Sequence, residues 1–123
     1  MPKNLDTPYS LIFPFMHRQA VDLQNVIQHV GDVEALLKAI AHPTRLTIMF
    51  LLSEGEATVS WIEKELAINQ AMVSQHLARL QADGLVACRR VGRNSYYRVA
   101  TTDITALLHL LLEMFPDKSG TSK

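Results

Sequence analysis

The sequence predicts a mainly α domain with a small two-stranded β-wing, and three observations carry that expectation. Apolar residues recur at helical spacing through most of residues 17–82 and again over 102–115. Two of the helical segments are separated by about three residues, the connection of a helix-turn-helix. After the second of these comes a β-branched and apolar run, broken by Gly92, Arg93 and Asn94, which has the chemistry of a hairpin turn. In this order the elements make a winged helix-turn-helix.

Taken along the chain, residues 1–16 interleave Pro2, Pro8 and Pro14 with Tyr9, Phe13 and Phe15, which suits an extended arm. From His17 the positions Val21, Leu23, Val26, Ile27 and Val30 make a helical stripe that Gly31 interrupts. Asp32 caps a restart through Leu36, Leu37 and Ile40 to His42, and Pro43 suits the first turn of a segment over Thr44 to Ser53. Thr58 or Ser60 can cap a helix over Val59 to Leu66, Ser60 and Glu63 having the spacing of a capping box. Asn69 caps the next helix, Gln70 to Ala82, which Asp83 and Gly84 end. On it Val73, Leu77 and Leu80 fall on one face as anchors, leaving Gln70, Ala71, Ser74, Gln75, Ala78 and Arg79 outward. Strands over Leu85 to Val91 and Ser95 to Val99 form the wing. Thr101 caps a last helix whose Ile104, Leu107, Leu108, Leu111, Leu112 and Phe115 form a wide stripe, with Leu110 and Met114 beyond it. That is more apolar surface than one small domain uses, and it points to a subunit interface. The expected organisation is an arm over 1–16, a winged helix-turn-helix domain with its subunit interface over 17–116 and a tail over 117–123.

With 123 residues, 48% of them hydrophobic, the chain fits one domain with its own core. A single cysteine excludes an internal disulfide framework. No stretch approaches the roughly 18 apolar residues of a membrane helix, and Leu11 to Met16 is too short for a signal-peptide core. A cytoplasmic location without a membrane partner is expected. The formal net charge of zero hides an asymmetry. Residues 70–99 carry Arg79, Arg89, Arg90, Arg93 and Arg98 against Asp83 alone, while residues 1–69 are net acidic. This is a local basic patch on a neutral body, the form that steers toward an anion.

Three runs then bear a resemblance. His42-Pro-Thr-Arg45 within Leu37 to Leu52, Val73-Ser-Gln-His-Leu77 with its Gly84-Leu-Val86 exit, and Arg90-Val-Gly-Arg-Asn-Ser-Tyr-Tyr97 closely resemble the ArsR/SmtB family of bacterial winged-helix repressors over about residues 33–115. The resemblance implies a homodimer built from the first and last helices, with Val26, Ile27, Leu107, Leu108, Leu111, Leu112 and Phe115 at the interface. It implies a recognition helix at Gln70 to Ala82 and repression at a palindromic promoter site on double-stranded DNA. Paired helix-turn-helix units must sit about 34 to 36 Å apart to enter successive major grooves, a spacing that a two-fold dimer can set.

Within that frame Gln70, Ser74 and Gln75 are the expected base readers, Gln being able to contact adenine through two hydrogen bonds. Arg79, Arg89, Arg90 and Arg93 are expected on phosphate, or at the wing tip in the minor groove. His76 either touches DNA or orients the helix. Relatives commonly release DNA on binding metal, one group through cysteines at a position held here by Ala57 to Trp61, which has no thiolate. Another group uses a four-ligand set whose positions fall on Thr101, Asp103, Met114 and Asp117, of which only two are carboxylates. His109, Glu113 and Asp117 share one predicted helix face as an alternative set. His17, His29 and His42 are too scattered to make a site, and Cys88 lacks the partner that the family's thiol sensors need. No metal or cofactor is therefore expected, and no inducer is specified. A winged helix turned to protein interaction is the competing reading. With no phosphate loop and no nucleophile motif, an enzyme is not expected.

Overall fold

The computed structural model of the chain describes residues 22–117. The arm at 1–16, His17 to Val21, and the tail beyond Asp117 lie outside the described residues. Among these residues five helices and three short strands follow one another: α1 (Leu23–Ile40), α2 (Pro43–Leu52), β1 (Ala57–Thr58), α3 (Val59–Leu66), α4 (Gln70–Ala82), β2 (Val86–Val91), β3 (Asn94–Val99) and α5 (Thr102–Glu113). The chain divides into two compact units at Glu34 and Ala35, within α1.

Among the described residues helix α1 starts at Leu23, where the Asp22 carboxylate accepts from the amide of Gln24 at 3.1 Å, and the expected start at His17 lies outside them. It also runs through Gly31 and Asp32 without the expected break. One interior glycine costs about 1 kcal/mol relative to alanine, too little to end a helix whose backbone ladder continues on both sides. Asp32 lies instead on the helix surface, 3.9 Å from His29. Leu23, Val26, Ile27, Val30 and Val33 on this helix are all exposed.

The unit from Ala35 onward is built around one core. Ala39 and Ile40 at the end of α1, Ile48, Met49 and Leu52 of α2, Ile62 of α3, and Val73, Leu77 and Leu80 of α4 meet Leu85, Val86, Val99 and Leu108 there. Leu108, expected at a dimer interface, is fully buried inside its own chain and has no surface to offer a second copy. The interface expectation fails for this residue because α5 must spend one row of its stripe on the domain beneath it. Leu112 and Phe115, together with Leu110 and Met114, remain exposed, while Leu107 and Leu111 are half-buried.

The wing is larger than a two-stranded hairpin. β2 pairs antiparallel with β3 from Val86↔Val99 to Val91↔Asn94, and β1 adds to the other edge of β3 through Ala57↔Tyr97 and Thr58↔Tyr96. A two-residue strand has no periodicity to read, so β1 carries no pattern of its own in the sequence. The hairpin closes through Gly92 and Arg93; positive φ at Gly92 alone (62°) is the pattern of a type II′ turn. Among the described residues no single helix is long and apolar enough to cross a membrane.

Local chemistry explains the ends of the two central helices. Thr58, and not Ser60, caps α3, its hydroxyl accepting from the amide of Trp61. Asn69 caps α4 through the amide of Met72 at 2.9 Å. At the other end of α4, Leu85 N–H donates to Leu80 and Gly84 N–H to Gln81, a Schellman motif with Gly84 left-handed at φ 76°. Leu80 and Leu85, the apolar pair that accompanies this motif, are both buried. The turn between α3 and α4 is tighter than its sequence suggests, because Ala67 adopts the left-handed conformation (φ 55°, ψ 42°). A side chain there costs about 1 to 2 kcal/mol. Replacing Ala67 by Gly is therefore expected to raise stability by up to about 1 kcal/mol, the relief being partly offset by glycine's greater freedom in the unfolded chain. The shift in urea midpoint reads this, and a fall in the midpoint refutes it.

Candidate nucleic-acid interface

Three fully buried side chains, Val73, Leu77 and Leu80, fix the rotation of α4 about its own axis. The opposite face is then determined: Gln70, Ala71, Met72, Ser74, Gln75, Ala78 and Arg79 are all exposed. Amides, hydroxyls and small residues dominate it, with no carboxylate before Asp83 at the helix end. Such a face can enter a major groove without repelling phosphate, and its polar groups match the donors and acceptors of base edges. Met72, 43% exposed in the first turn, was not among the outward residues expected. It stands beside the anchor Val73 in sequence, and a methionine next to an apolar anchor reads as core by composition alone.

His76 is half-buried. Its ring packs on that of His42, with centroids 4.8 Å apart and planes tilted by 47°. Burial above all, then the charges of His42 and Arg45, hold its imidazole below the ordinary histidine range. His42 itself caps α2, its Nδ1 accepting from the amides of Thr44 at 3.1 Å and Arg45 at 3.5 Å. His76 thus joins α4 to the cap of another helix, a contact of the kind that a helix-orienting role needs.

The four arginines expected on phosphate separate into two kinds. Arg79 pairs with Asp83 at 3.0 Å, one turn along α4. Arg89 is gripped by Glu56 through three contacts of 2.8 to 3.2 Å and lies 5.0 Å from the centre of the Tyr96 ring. The Arg89 guanidinium holds the Glu56 carboxyl below its usual range, so this pair is intact above ordinary carboxylate values and is lost as pH falls through the lowered one. Arg90 makes a single contact, to the Ser95 hydroxyl at 3.3 Å, and Arg93 makes no ion pair among the described residues. Neighbours on a strand also face opposite ways, so Arg89 and Arg90 stand on opposite faces of the wing. The local charge count misses Glu56 because it lies 33 residues before its partner.

The proposed sensor residues do not converge. Helix α5 ends at Glu113, so Asp117 leaves the face that His109 and Glu113 share, and a regular i, i+4, i+8 set is not formed. No group of three or more His, Cys, Asp or Glu among the described residues could hold a metal ion. Cys88 is half-buried and opposite Tyr97 on the neighbouring strand, where burial, then the thiol beside it, pushes the phenol up.

The model for the bacterial regulatory proteins of the arsR family matches residues 42–87, from the His42 cap through α4 into β2. The transcriptional activator HlyU of Vibrio cholerae is 31% identical over 102 residues, which cover 83% of this chain and 94% of the relative. The chain belongs to the ArsR family. Among solved structures, the transcriptional repressor BigR from Xylella fastidiosa is similar with a TM-score of 0.72 and 30% identity, over 80% of this chain and all of that one. A homodimeric winged helix-turn-helix DNA-binding domain from Mycobacterium bovis is similar with a TM-score of 0.67 and 31% identity, over 78% of this chain and 88% of that one. ArsR-family proteins are DNA-binding transcription regulators and not enzymes, and the winged helix described above is the fold they share.

The pairing of Arg89 has a measurable consequence for this ArsR-family chain. Replacing Glu56 by Gln removes the anion that competes with phosphate for that guanidinium. Affinity for duplex DNA is expected to rise severalfold, with a steeper dependence on salt. Fluorescence anisotropy at several salt concentrations measures both, and an unchanged slope would mean that Arg89 stays away from the DNA.

Proposed function

We propose that the chain acts in the cytoplasm as a homodimeric repressor that binds a palindromic operator and blocks the promoter containing it. The observation that carries this reading is the acid-free polar face of α4, presented by a buried row of apolar anchors beside a wing with unpaired arginines. Gln70, Ser74 and Gln75 read base edges. Arg90 and Arg93 hold phosphate or the minor groove, and Arg79 and Arg89 join them only by leaving their carboxylates. Repression is the sign adopted, although relatives carry names of both signs. A bound dimer can exclude polymerase or displace another protein, according to where the operator lies.

Dimerisation uses apolar surface left exposed on the terminal helices: Val26 and Ile27 on α1, and on α5 Leu112 with the half-buried Leu107 and Leu111, joined by Phe115 just past its end. Exposed apolar area of this kind is unusual on a monomer, and a homodimeric neighbour of the same fold supports this use of it. Replacing Ile27 or Leu112 by Glu is expected to yield a monomer in sedimentation velocity and to weaken duplex binding at least tenfold, because one half-site alone must then hold the DNA. A charged variant that stays dimeric refutes the assignment.

A footprint on the chain's own upstream region tests the reading directly. With Arg90 and Arg93 both replaced by Ala, the slope of log affinity against log salt is expected to flatten by about 3 to 4 for a dimer, since each phosphate contact contributes about 0.9. Sequence preference should survive that change. With Gln75 replaced by Ala the reverse is expected: the salt slope holds and discrimination against a mutated operator drops by roughly 1 to 3 kcal/mol. Duplex affinity that does not vary with salt would refute the DNA reading and favour a protein partner.

A further inference from the structure

We propose that His42 and His76 form a proton-sensitive latch that ties the recognition helix to the start of α2, beside the buried anchors that set its rotation, and loosens that tie when the surroundings turn acidic. The inference rests on the DNA-binding reading above and adds a signal to it. Its basis is geometric. Nδ1 of His42 accepts two backbone N–H groups at the start of α2, so that nitrogen carries no proton. The cap fixes where the ring stands, and the ring of His76, from the second turn of α4, packs on it at 4.8 Å. One imidazole therefore ends α2 and supports α4 at the same time.

A proton on His76 is unwelcome at this place, because the ring it packs on is held as the acceptor that caps α2. Protonating His76 places a cation against His42 and near Arg45, whose Nε is already committed to the Ala39 carbonyl at 2.6 Å. Besides burial, the groups that disfavour a charge on His76 are the His42 ring against it and the Arg45 guanidinium; no group of α3 or β2, which also pack on α4, stands among the causes. His76 is correspondingly held below the ordinary value of 6.5. The sign follows from that depression. The unfolded or released state binds more protons, so the contact is fully present above about pH 6.5 and is lost as pH falls through the lower folded value.

This prediction opposes the generic trend. Acidification makes a protein more positive, which by itself strengthens attachment to phosphate. A latch makes specific binding weaker in acid instead.

The experiment uses the full chain and a duplex selected from a random library at pH 7.5. Affinity is measured at pH 7.5 and 5.5 at constant ionic strength, and the ring proton of His76 is followed by NMR in the free protein together with the α4 amides. Affinity of the unaltered chain is expected to fall severalfold between the two pH values, about tenfold being the most that one histidine can give. In His76→Gln, which cannot titrate, and in His42→Asn, which keeps an N-cap acceptor but removes the ring that His76 packs on, the ratio should shrink to about twofold. Equal or tighter binding at pH 5.5, or the same ratio in both variants, overturns the latch. Failure to recover any duplex at pH 7.5 would count against the regulator reading alone. The latch then stands or falls on NMR: it stands if His76 titrates below 6.5 together with the α4 amides, and falls if the ring titrates while those amides stay still.

Discussion

The burial of Val73, Leu77 and Leu80 is the constraint on which the rest of the molecule depends. Each side chain is removed completely from water, which stabilises the fold by about 1.5 to 3 kcal/mol per residue. The interaction is non-directional, yet three residues on one line leave a helix a single rotational setting. Everything useful about α4 follows from that setting, since turning the helix by one residue moves amides into the core and leucines into solvent. The surrounding elements supply the socket: Ile48 and Met49 from α2, Ile62 from α3, and Val86 with Val99 from the sheet. The Schellman turn at Gly84 carries this packing into β2, so the hairpin inherits its position from the same core.

Electrostatics then refine what packing has placed. A neutral protein cannot rely on bulk attraction to nucleic acid, and this one keeps two of the four arginines proposed for the interface on its own carboxylates. The Glu56 contact also ties the wing to the loop ahead of β1, while Tyr96 covers the guanidinium from the neighbouring strand. Such surface pairs add little stability. Their effect is to hold a long, flexible side chain in one direction, which leaves Arg90 and Arg93 as the cations immediately available to an incoming phosphate.

Most of this was legible in the sequence wherever the signal was local. The caps at Asn69 and Thr101, the anchor row of α4 and the turn at Gly92 each consist of a few residues at fixed spacing and are found where that spacing puts them, whereas α3 is capped by Thr58 and not by Ser60, whose spacing to Glu63 suggests a capping box. The readings that changed depend on distant partners or on weighing two opposed local effects. Gly31 looks like a break because glycine is a poor helix former, but its cost is small beside a ladder already running on both sides. β1 exists only because β3 offers it an edge. Glu56 finds Arg89 through the sheet, and Leu108 turns inward because the domain needs one more core residue at that corner, neither of which periodicity can show. The residues proposed to read bases fall between these cases: the helix that bears them is plain in the sequence, whereas what they would contact belongs to another molecule.

The guanidinium held by Glu56 bears finally on how such a regulator finds its target among very many wrong ones. Generic adhesion to phosphate is the force that traps a searching protein on irrelevant sequence, and competing sites outnumber an operator by millions. An arginine that must abandon a carboxylate before it can grip a strand adds little to that adhesion. It engages where the base-reading helix has already seated and the exchange is repaid by a complete fit. Restraint on the wing thereby becomes selectivity, and the neutral charge of the chain is its outward sign.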